Sequence, residues 1–499
     1  MVARRGGGAG PRWILAALCL SLVIVSLDAT IVNVALPRIS EDLGASTTQL
    51  QWVADAYSVA FAGLLLLAGA IGDRLGHKRL LTAGLVVFGA GSALAALSPS
   101  AGFLIAMRAV MGLGGALVMP ASLAALTSAF PGERRAFAIG FWSAAAGAGV
   151  AAGPVIGGAL LTRWSWPSVF LVNVPLVIVT LAADAFAIPE TPRQHRAFDV
   201  TGALFSAVAV VAVVAAVIES PARGWSSPQT ALLAALGAAS AGAFVIRERR
   251  ARAGLVDLSW FRDRHLTIPC VVAAVLFFAM TGSSFILMQY LQLVLGYSPL
   301  TAGAAILPIV GLTMIFAPLS GALVHSLSAR NLMAAGMLIL AAGLGLLATL
   351  TPRTAYWHIL TAGSLFGIGI GVTLTPASDA VMGSRAGQRP GVASGINDTV
   401  QELGSALGVA ILGAVVAGHF AAGLAHQPAS LAGNTGSLAM ALGAARHLAP
   451  ASIAQVRASF THAMDLALLV AAVASVIAAL AALLGMTSHP PAVSPRNPP

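Results

Sequence analysis

Asp28 stands inside an otherwise apolar run, Leu27-Asp28-Ala29-Thr30-Ile31-Val32-Asn33-Val34-Ala35-Leu36-Pro37, and the stretch from Trp13 to Val34 reads as a membrane-spanning helix. An ionised Asp at hydrocarbon depth costs roughly 2.5–3.5 kcal/mol on insertion scales, so such groups sit where they face a bundle interior or a wet cavity. Burial favours the protonated acid and a neighbouring guanidinium favours the anion, which lets a carboxyl in that setting take up and release a proton. Asp55, in Trp52-Val53-Ala54-Asp55-Ala56-Tyr57, and Arg108 fall at similar depth. From helical rise, Asp28 lies about 9 Å below the outer end of the first span, Asp55 about 7 Å into the second and Arg108 about 9 Å into the fourth. Two acids and one Arg at one level suit proton exchange. The bland alternative is a static charge network that fixes helix packing.

A second acidic group falls late in the chain. Glu402 lies roughly 15 Å into the thirteenth span by the same count. Asp398 precedes it by four residues, which puts both on one helix face, and Asn397 and Gln401 form a polar pair beside them. Two acids at that spacing repel when both ionise, so one holds a proton. Glu402, with Asp398 and Gln401, is therefore read as a site for a cationic substrate or a second proton, against plain interhelical hydrogen bonding. Asp184, Asp379 and Asp465 fall near span ends and are expected to be solvated or to cap helices; Glu219 is expected at the outer interface. Met107, Met111, Phe277, Phe278, Met280, Phe285 and Met288 are the material of an adaptable apolar pocket, though ordinary packing explains any single one.

The elements that must position these residues are membrane helices. The chain has 499 residues, of which 58% are hydrophobic and 9% charged, against about 25% charged in soluble domains. Fourteen stretches are long and apolar enough to span a bilayer. The Gly and Pro content (53 and 26 residues) is at home in such helices. The net charge of +10 reads as topology rather than nucleic-acid binding, because the basic residues sit in short loops. Arg4, Arg5, Arg12, Arg74, Lys78, Arg79, Arg134, Arg135 and the group from Arg247 to Arg264 fall on one side. Only Arg38, Arg163, Arg223, Arg353, Arg446 and Arg457 fall on the other. The bias places both termini in the cytoplasm. The two cysteines, Cys19 and Cys270, lie inside spans and form no disulfide framework or metal-ligand spacing.

The expected organisation is a six-helix bundle over 1–190, an inserted pair of helices with a basic cytoplasmic loop over 191–265, and a second six-helix bundle over 266–487 with an external loop at 422–461. The Pro-rich tail 488–499 reads as disordered. The basic loop before His265 is a candidate for lying along the membrane surface.

Six stretches then carry a resemblance. The loop after the second span is Gly69-Ala70-Ile71-Gly72-Asp73-Arg74-Leu75-Gly76-His77-Lys78-Arg79. Its glycines permit a tight turn, and Asp73 can accept from a helix N-terminus or a neighbouring Arg as a charge-assisted latch. This pattern resembles the signature loop of the major facilitator superfamily. Arg108 followed by Gly112, Gly114 and Gly115 resembles the intramembrane-Arg motif of its drug:proton antiporters. The run from Gly149 through Gly153, Pro154, Gly157 and Gly158 resembles their glycine–proline motif. The Asp28–Pro37 run, and Gly296-Tyr297-Ser298-Pro299 with the stretch from Gly391 to Ile411, resemble the fourteen-helix group (the EmrB/QacA type). One departure stands out: the corresponding loop after the tenth span, Gly321 to Arg330, lacks the Asp-Arg pair, so a latch there should be weaker.

The resemblance implies a proton-coupled exporter of hydrophobic, cationic or amphipathic compounds, in which the span-five glycines and Pro154 seal or hinge a bundle. It also implies a multi-pass protein of the cytoplasmic membrane. Its partners would be a small-molecule drug or natural product, protons and the bilayer, with no nucleic acid, and the chain would act as a monomer. No Gly-rich Lys-Ser/Thr nucleotide loop and no nucleophile–base spacing is present, so neither ATP drive, cofactor nor enzyme chemistry is expected. An importer or lipid transporter of the same fold, and a non-transporting receptor, stay open on the residues alone.

Overall fold

The structure, a computed structural model, describes residues 10–45, 47–190, 199–224, 227–251, 254–384, 388–424, 438–446 and 450–486. Expectations for Arg4, Arg5, Arg252 and the Pro-rich tail lie outside the described residues. Among the described residues there is no β-strand, and 14 helices are long and apolar enough to cross a membrane. With no water inside a bilayer, backbone polar groups must pair within each helix, which leaves this architecture or a closed barrel.

The first bundle comprises α1 (Pro11–Leu43), α2 (Thr47–Leu75), α3 (His77–Ala96), α4 (Ala101–Ala129), α5 (Glu133–Leu161) and a sixth span made of the short α6 (Ser168–Leu171) and α7 (Asn173–Ala187). Then come α8 (Val200–Arg223) and α9 (Pro228–Arg250), which pair with each other. The second bundle comprises α10 (Arg264–Gln289), prolonged by a π turn over Tyr290–Val294, with α11 (Pro299–Leu327), α12 (Ala329–Leu347), α13 (Tyr356–Gly383), α14 (Pro390–Leu424) and α16 (Pro450–Gly485). The short α15 (Leu438–Arg446) packs on α16. Each bundle has its own apolar core. They meet through α5 against α11 and α2 against α14, and the α8–α9 hairpin leans on α2 and α14 through Val210 and Val214.

Helix starts follow local chemistry. Ser100, Ser227 and Ser298 accept from the backbone N–H three residues on, and Asp199 does the same for Gly202 at the head of α8. Such caps supply partners for N–H groups that the first turn leaves unpaired.

The structure bears on two expectations about loops. The external connection at 422–461 contains α15 and the first turns of α16, which begins at Pro450 rather than near His462. Hydropathy marks the hydrocarbon crossing, whereas Pro at the first helical position and the following Ala, Ile, Gln and Val residues extend the helix beyond it. Phe420 and Phe460 stand edge to face at 6.0 Å and join the outer parts of α14 and α16. The basic connection before α10 is tied to the first bundle at one point. Glu248 accepts from the backbone N–H of Leu255 (3.0 Å) and Val256 (3.2 Å), and those two apolar side chains are buried in the first core.

Candidate functional site

Asp28 is fully buried and both of its carboxylate oxygens are engaged. Oδ2 accepts from Arg108 Nη1 at 2.5 Å, and Oδ1 accepts from Asn173 Nδ2 at 2.8 Å. Arg108, itself 1% exposed, donates through Nε to the Val53 carbonyl at 2.9 Å, and its guanidinium carbon stands 4.7 Å from the centre of the Tyr57 ring. Asn173 also donates to Ser92 Oγ, which donates to the Phe170 carbonyl. One acid thus ties together α1, α2, α3, α4 and α7. A buried charge is tolerable only when paired and hydrogen-bonded, and this pair is both.

Asp55 is not part of this network. It is half-buried, and no hydrogen bond joins it to Asp28 or Arg108 among the described residues. Val53 and Tyr57, one turn apart, take the α2 face that meets Arg108; Asp55 lies about 200° around the helix from Val53. The charge acting on Asp55 is that of Glu219 on α8. Equal depth along separate helices says nothing of rotation about their axes, so the expected three-residue cluster becomes a pair plus a separate acid.

In the second bundle Asp398 is fully buried and accepts from Asn397 Nδ2 at 3.0 Å and from Ser394 Oγ at 3.4 Å. Gln401 is buried with Nε2 3.5 Å from Ser378 Oγ on α13. Glu402 is partly exposed; its charge acts on Asp398 and, across the bundle interface, on the Tyr57 hydroxyl. The charges of both Asp28 and Glu402 thus act on the Tyr57 hydroxyl. Met111 is core packing in the first bundle, and Phe285 is 48% exposed.

The bundles are clamped at one end, the end that carries the signature loop. Asp73 Oδ1 and Oδ2 accept from the backbone N–H groups of Gly391 (2.8 Å) and Val392 (3.0 Å) in the first turn of α14. A carboxylate there meets free N–H groups and the positive end of the helix dipole. Gly69 and Gly391 face each other backbone to backbone, with no room for a methyl group on either. Gly76 takes φ 97°, as the turn into α3 requires. Lys78 Nζ donates to the carbonyls of Ala185 (3.1 Å) and Ile188 (2.6 Å) at the end of α7. Arg74 is exposed, and among the described residues Arg79 makes an exposed 3.8 Å pair with Glu190.

The corresponding corner repeats the shape with other chemistry. Gly321 on α11 packs on the Ala136 carbonyl of α5 as Gly69 packs on Gly391, but position 325 is His where position 73 is Asp. The link between halves is made instead by Arg135 on α5, whose Nε donates to Asp379 Oδ1 on α13 at 2.7 Å. Asp379 is accordingly an inter-bundle partner, not a solvated end group as expected. Asp184, also expected to be solvated, is 1% exposed between α1 and α7.

The glycine–proline motif lies against α1. A methyl group on Gly149, Gly153 or Gly157 would run into Val23, Thr30 or Ile31, whereas Gly158 faces open space. Pro154 has no N–H, so the Val150 carbonyl four residues earlier loses its helical donor. The Thr30 hydroxyl of α1 supplies it at 3.0 Å. Thr30 is two residues from Asp28, so this substitute bond joins the Pro-bearing helix to the acid-bearing one. Sequence reasoning missed Asn173, Tyr57, Thr30 and the Arg135–Asp379 pair. Asn173, the sole Asn in its span, was the only one with a sequence signal.

Two bundles of membrane helices, meeting along α2–α14 and α5–α11 with an acid–Arg pair in one of them, define the class of multi-pass secondary carriers. The Major Facilitator Superfamily model matches residues 18–409, and the chain belongs to that family. It is 37% identical over 412 residues to the Multidrug resistance protein Stp of Mycobacterium tuberculosis, covering 82% of this chain and 76% of that one. It is 32% identical over 486 residues to the Multidrug efflux pump LfrA of Mycolicibacterium smegmatis, covering 95% and 96%. The crystal structure of the human organic anion transporter MFSD10 (TETRAN) has the same fold, with a TM-score of 0.60 at 15% identity over 94% of this chain and 100% of that one.

Proposed function

We propose that this chain is a drug efflux transporter that exchanges protons for hydrophobic, cationic or amphipathic compounds across the cytoplasmic membrane. The carrying observation is Asp28, fully buried yet held by Arg108 and Asn173. A proton reaching Asp28 removes its charge and strands Arg108 as a buried cation, which is costly. Relief requires movement of α4 against α1 and α2, the helices that Arg108 bridges. Losing the proton restores the pair. Glu402, facing Tyr57 across the interface, is the acid available to a cationic substrate, with Asp398 and Gln401 behind it; Asp55 with Glu219 is a second acidic locus. The name of the relative LfrA, a multidrug efflux pump, supports the direction, and that of Stp, a multidrug resistance protein, supports the substrate class.

With the basic loops inside, the clamped end is cytoplasmic, and Asp73 and the Arg135–Asp379 pair hold that face shut. Export then needs this clamp to open for loading and the opposite end to open for release. The test is drug susceptibility of a pump-deficient bacterium expressing the chain, against dyes, quaternary amines and antibiotics. Native protein should raise resistance and Asp28→Asn should abolish the gain. Uptake of dye into everted vesicles under an acid lumen checks direction; accumulation only in right-side-out vesicles rejects export in favour of an importer.

A further inference from the structure

Asp184 is the buried acid that the exchange reaction above leaves without a role. It sits on α7 at 1% exposure, with Oδ2 3.2 Å from Ser21 Oγ of α1, whose single proton is shared between that carboxylate and the Ala17 carbonyl at 3.1 Å. Its Oδ1 has no hydrogen-bond partner among the described residues. Ser21 is seven residues before Asp28, and Asn173 is eleven before Asp184. Both separations are close to whole numbers of helical turns, so the pairs Asp28·Asn173 and Ser21·Asp184 lie on one seam between α1 and α7. They are separated by about 10 Å along α1 and about 16 Å along α7. Thr180, fully buried on α7, falls on the same seam between them. The seam thus has an acid rung at the level of Arg108 and a second acid rung near the clamped end.

The groups facing Asp184 fit a proton exit. On α3 Lys78 closes the end of α7 and its charge acts on Asp184. On α1 the nearest ionisable side chains are Cys19 and Asp28. Beyond the end of α7, Glu190 is exposed and paired with Arg79. A carboxyl serving only to neutralise Lys78 would pair with it directly, yet Lys78 directs two of its three donors to backbone carbonyls and makes no ion pair with Asp184 among the described residues.

We propose that Asp184 is a relay acid that carries the proton between Asp28 and the face that bears Lys78. When the helices part, Asp28 gives its proton to a chain of waters entering the seam past Thr180, and the last of that chain protonates the unpaired Oδ1 of Asp184. Asp184 then gives a proton to solvent past Lys78 and returns to the anion held by Ser21. No charge is created in the seam, since each carboxyl gains one proton and loses one. This role rests on the proton-exchange reading and adds a residue to it.

The experiment uses the full chain in everted membrane vesicles of a pump-deficient bacterium, with ethidium as cargo and an acid lumen. The bath touches the Lys78 face. Uptake by the native chain should climb as bath pH is raised from mildly acid to mildly alkaline. Asp184→Asn keeps the shape and the Ser21 contact but holds no exchangeable proton. It should slow uptake by about tenfold or more and flatten its dependence on bath pH, and Asp184→Glu should restore the slope. Ser21→Ala removes a donor to the anion, so it should displace the profile towards alkaline bath pH while leaving maximal uptake in place. If Asp184→Asn keeps the native rate and slope while Asp28→Asn is inert, the relay is overturned and exchange at Asp28 survives. If Asp28→Asn itself moves ethidium as the native chain does, the underlying reading fails instead. An unshifted profile for Ser21→Ala also counts against the relay.

Discussion

Asp28 in the first bundle is buried against a guanidinium, while Asp398 in the second is buried against Asn397 and Ser394, and among the described residues no basic side chain pairs with it. The bundles share a fold, yet one stores its acid as half of an ion pair and the other as a member of a neutral hydrogen-bond group. The same division appears at the clamped end: Asp73 grips the α14 helix terminus, whereas the His325 corner leaves the joining to Arg135 and Asp379. Changing the charge state of an acid releases a strong local field only where a fixed counter-charge stands beside it. The second bundle, without one, is better suited to receive charge from outside, either a cationic ligand or a proton.

Arg108→Met is the strongest way to break this contrast. It leaves Asp28 as an uncompensated buried anion and should cost about 3–5 kcal/mol, read as a fall in folded, membrane-inserted protein and in its thermal midpoint. Asp398→Asn, which keeps the shape and the Asn397 neighbour, should cost about 1 kcal/mol or less. Equal losses from the two variants would erase the distinction. Next in size are changes at the α1–α5 contact. Gly153→Ala drives a methyl group into Thr30 and should cost about 1–3 kcal/mol, while Gly158→Ala should leave the thermal midpoint unmoved. Thr30→Val strips the Val150 carbonyl of its substitute donor, for about 1–3 kcal/mol.

The clamp should respond more weakly. Asp73→Ala removes both acceptors from the head of α14, so amide hydrogen exchange at Gly391 and Val392 should speed up about tenfold or more, the loss of two charge-assisted bonds. Arg135→Ala, at a pair 27% and 11% exposed, should be worth about 1 kcal/mol or less and leave those amides protected. The smallest effect concerns the two matching turns. Gly76 (φ 97°) and Ser328 (φ 63°) occupy the same place in the two signature corners, both in left-handed backbone. A side chain there is strained, so Gly76→Ser should destabilise by about 1 kcal/mol or more. Ser328→Gly should be near neutral, because it relieves strain and loses the weak cap to Asn331.

Much of this was legible early because a bilayer imposes a harsh code. Apolar runs give the spans, an Asp among them marks a site, and the Asp73 loop announces a helix-terminus contact. Asp28 and Arg108 were readable as partners, since an acid and an Arg at like depth are each intolerable alone. The Asp55 orientation was not, because helix rotation depends on which neighbours press on α2. Asp184 and Asp379 looked solvated because each is within a few residues of a span end, and only packing against α1 or pairing with Arg135 buries them.

The order of residues determined by itself how many helices cross, where they turn and which ionisable groups must enter the membrane, since these depend on local hydropathy, Gly and Pro. The tertiary structure decided which of those groups touch. Partner choice for Asp28, the bond from Thr30 to Val150, and the Ser21–Asp184 rung all join helices far apart in sequence. Their energies come from burial and from hydrogen bonds whose geometry exists only after the helices have packed.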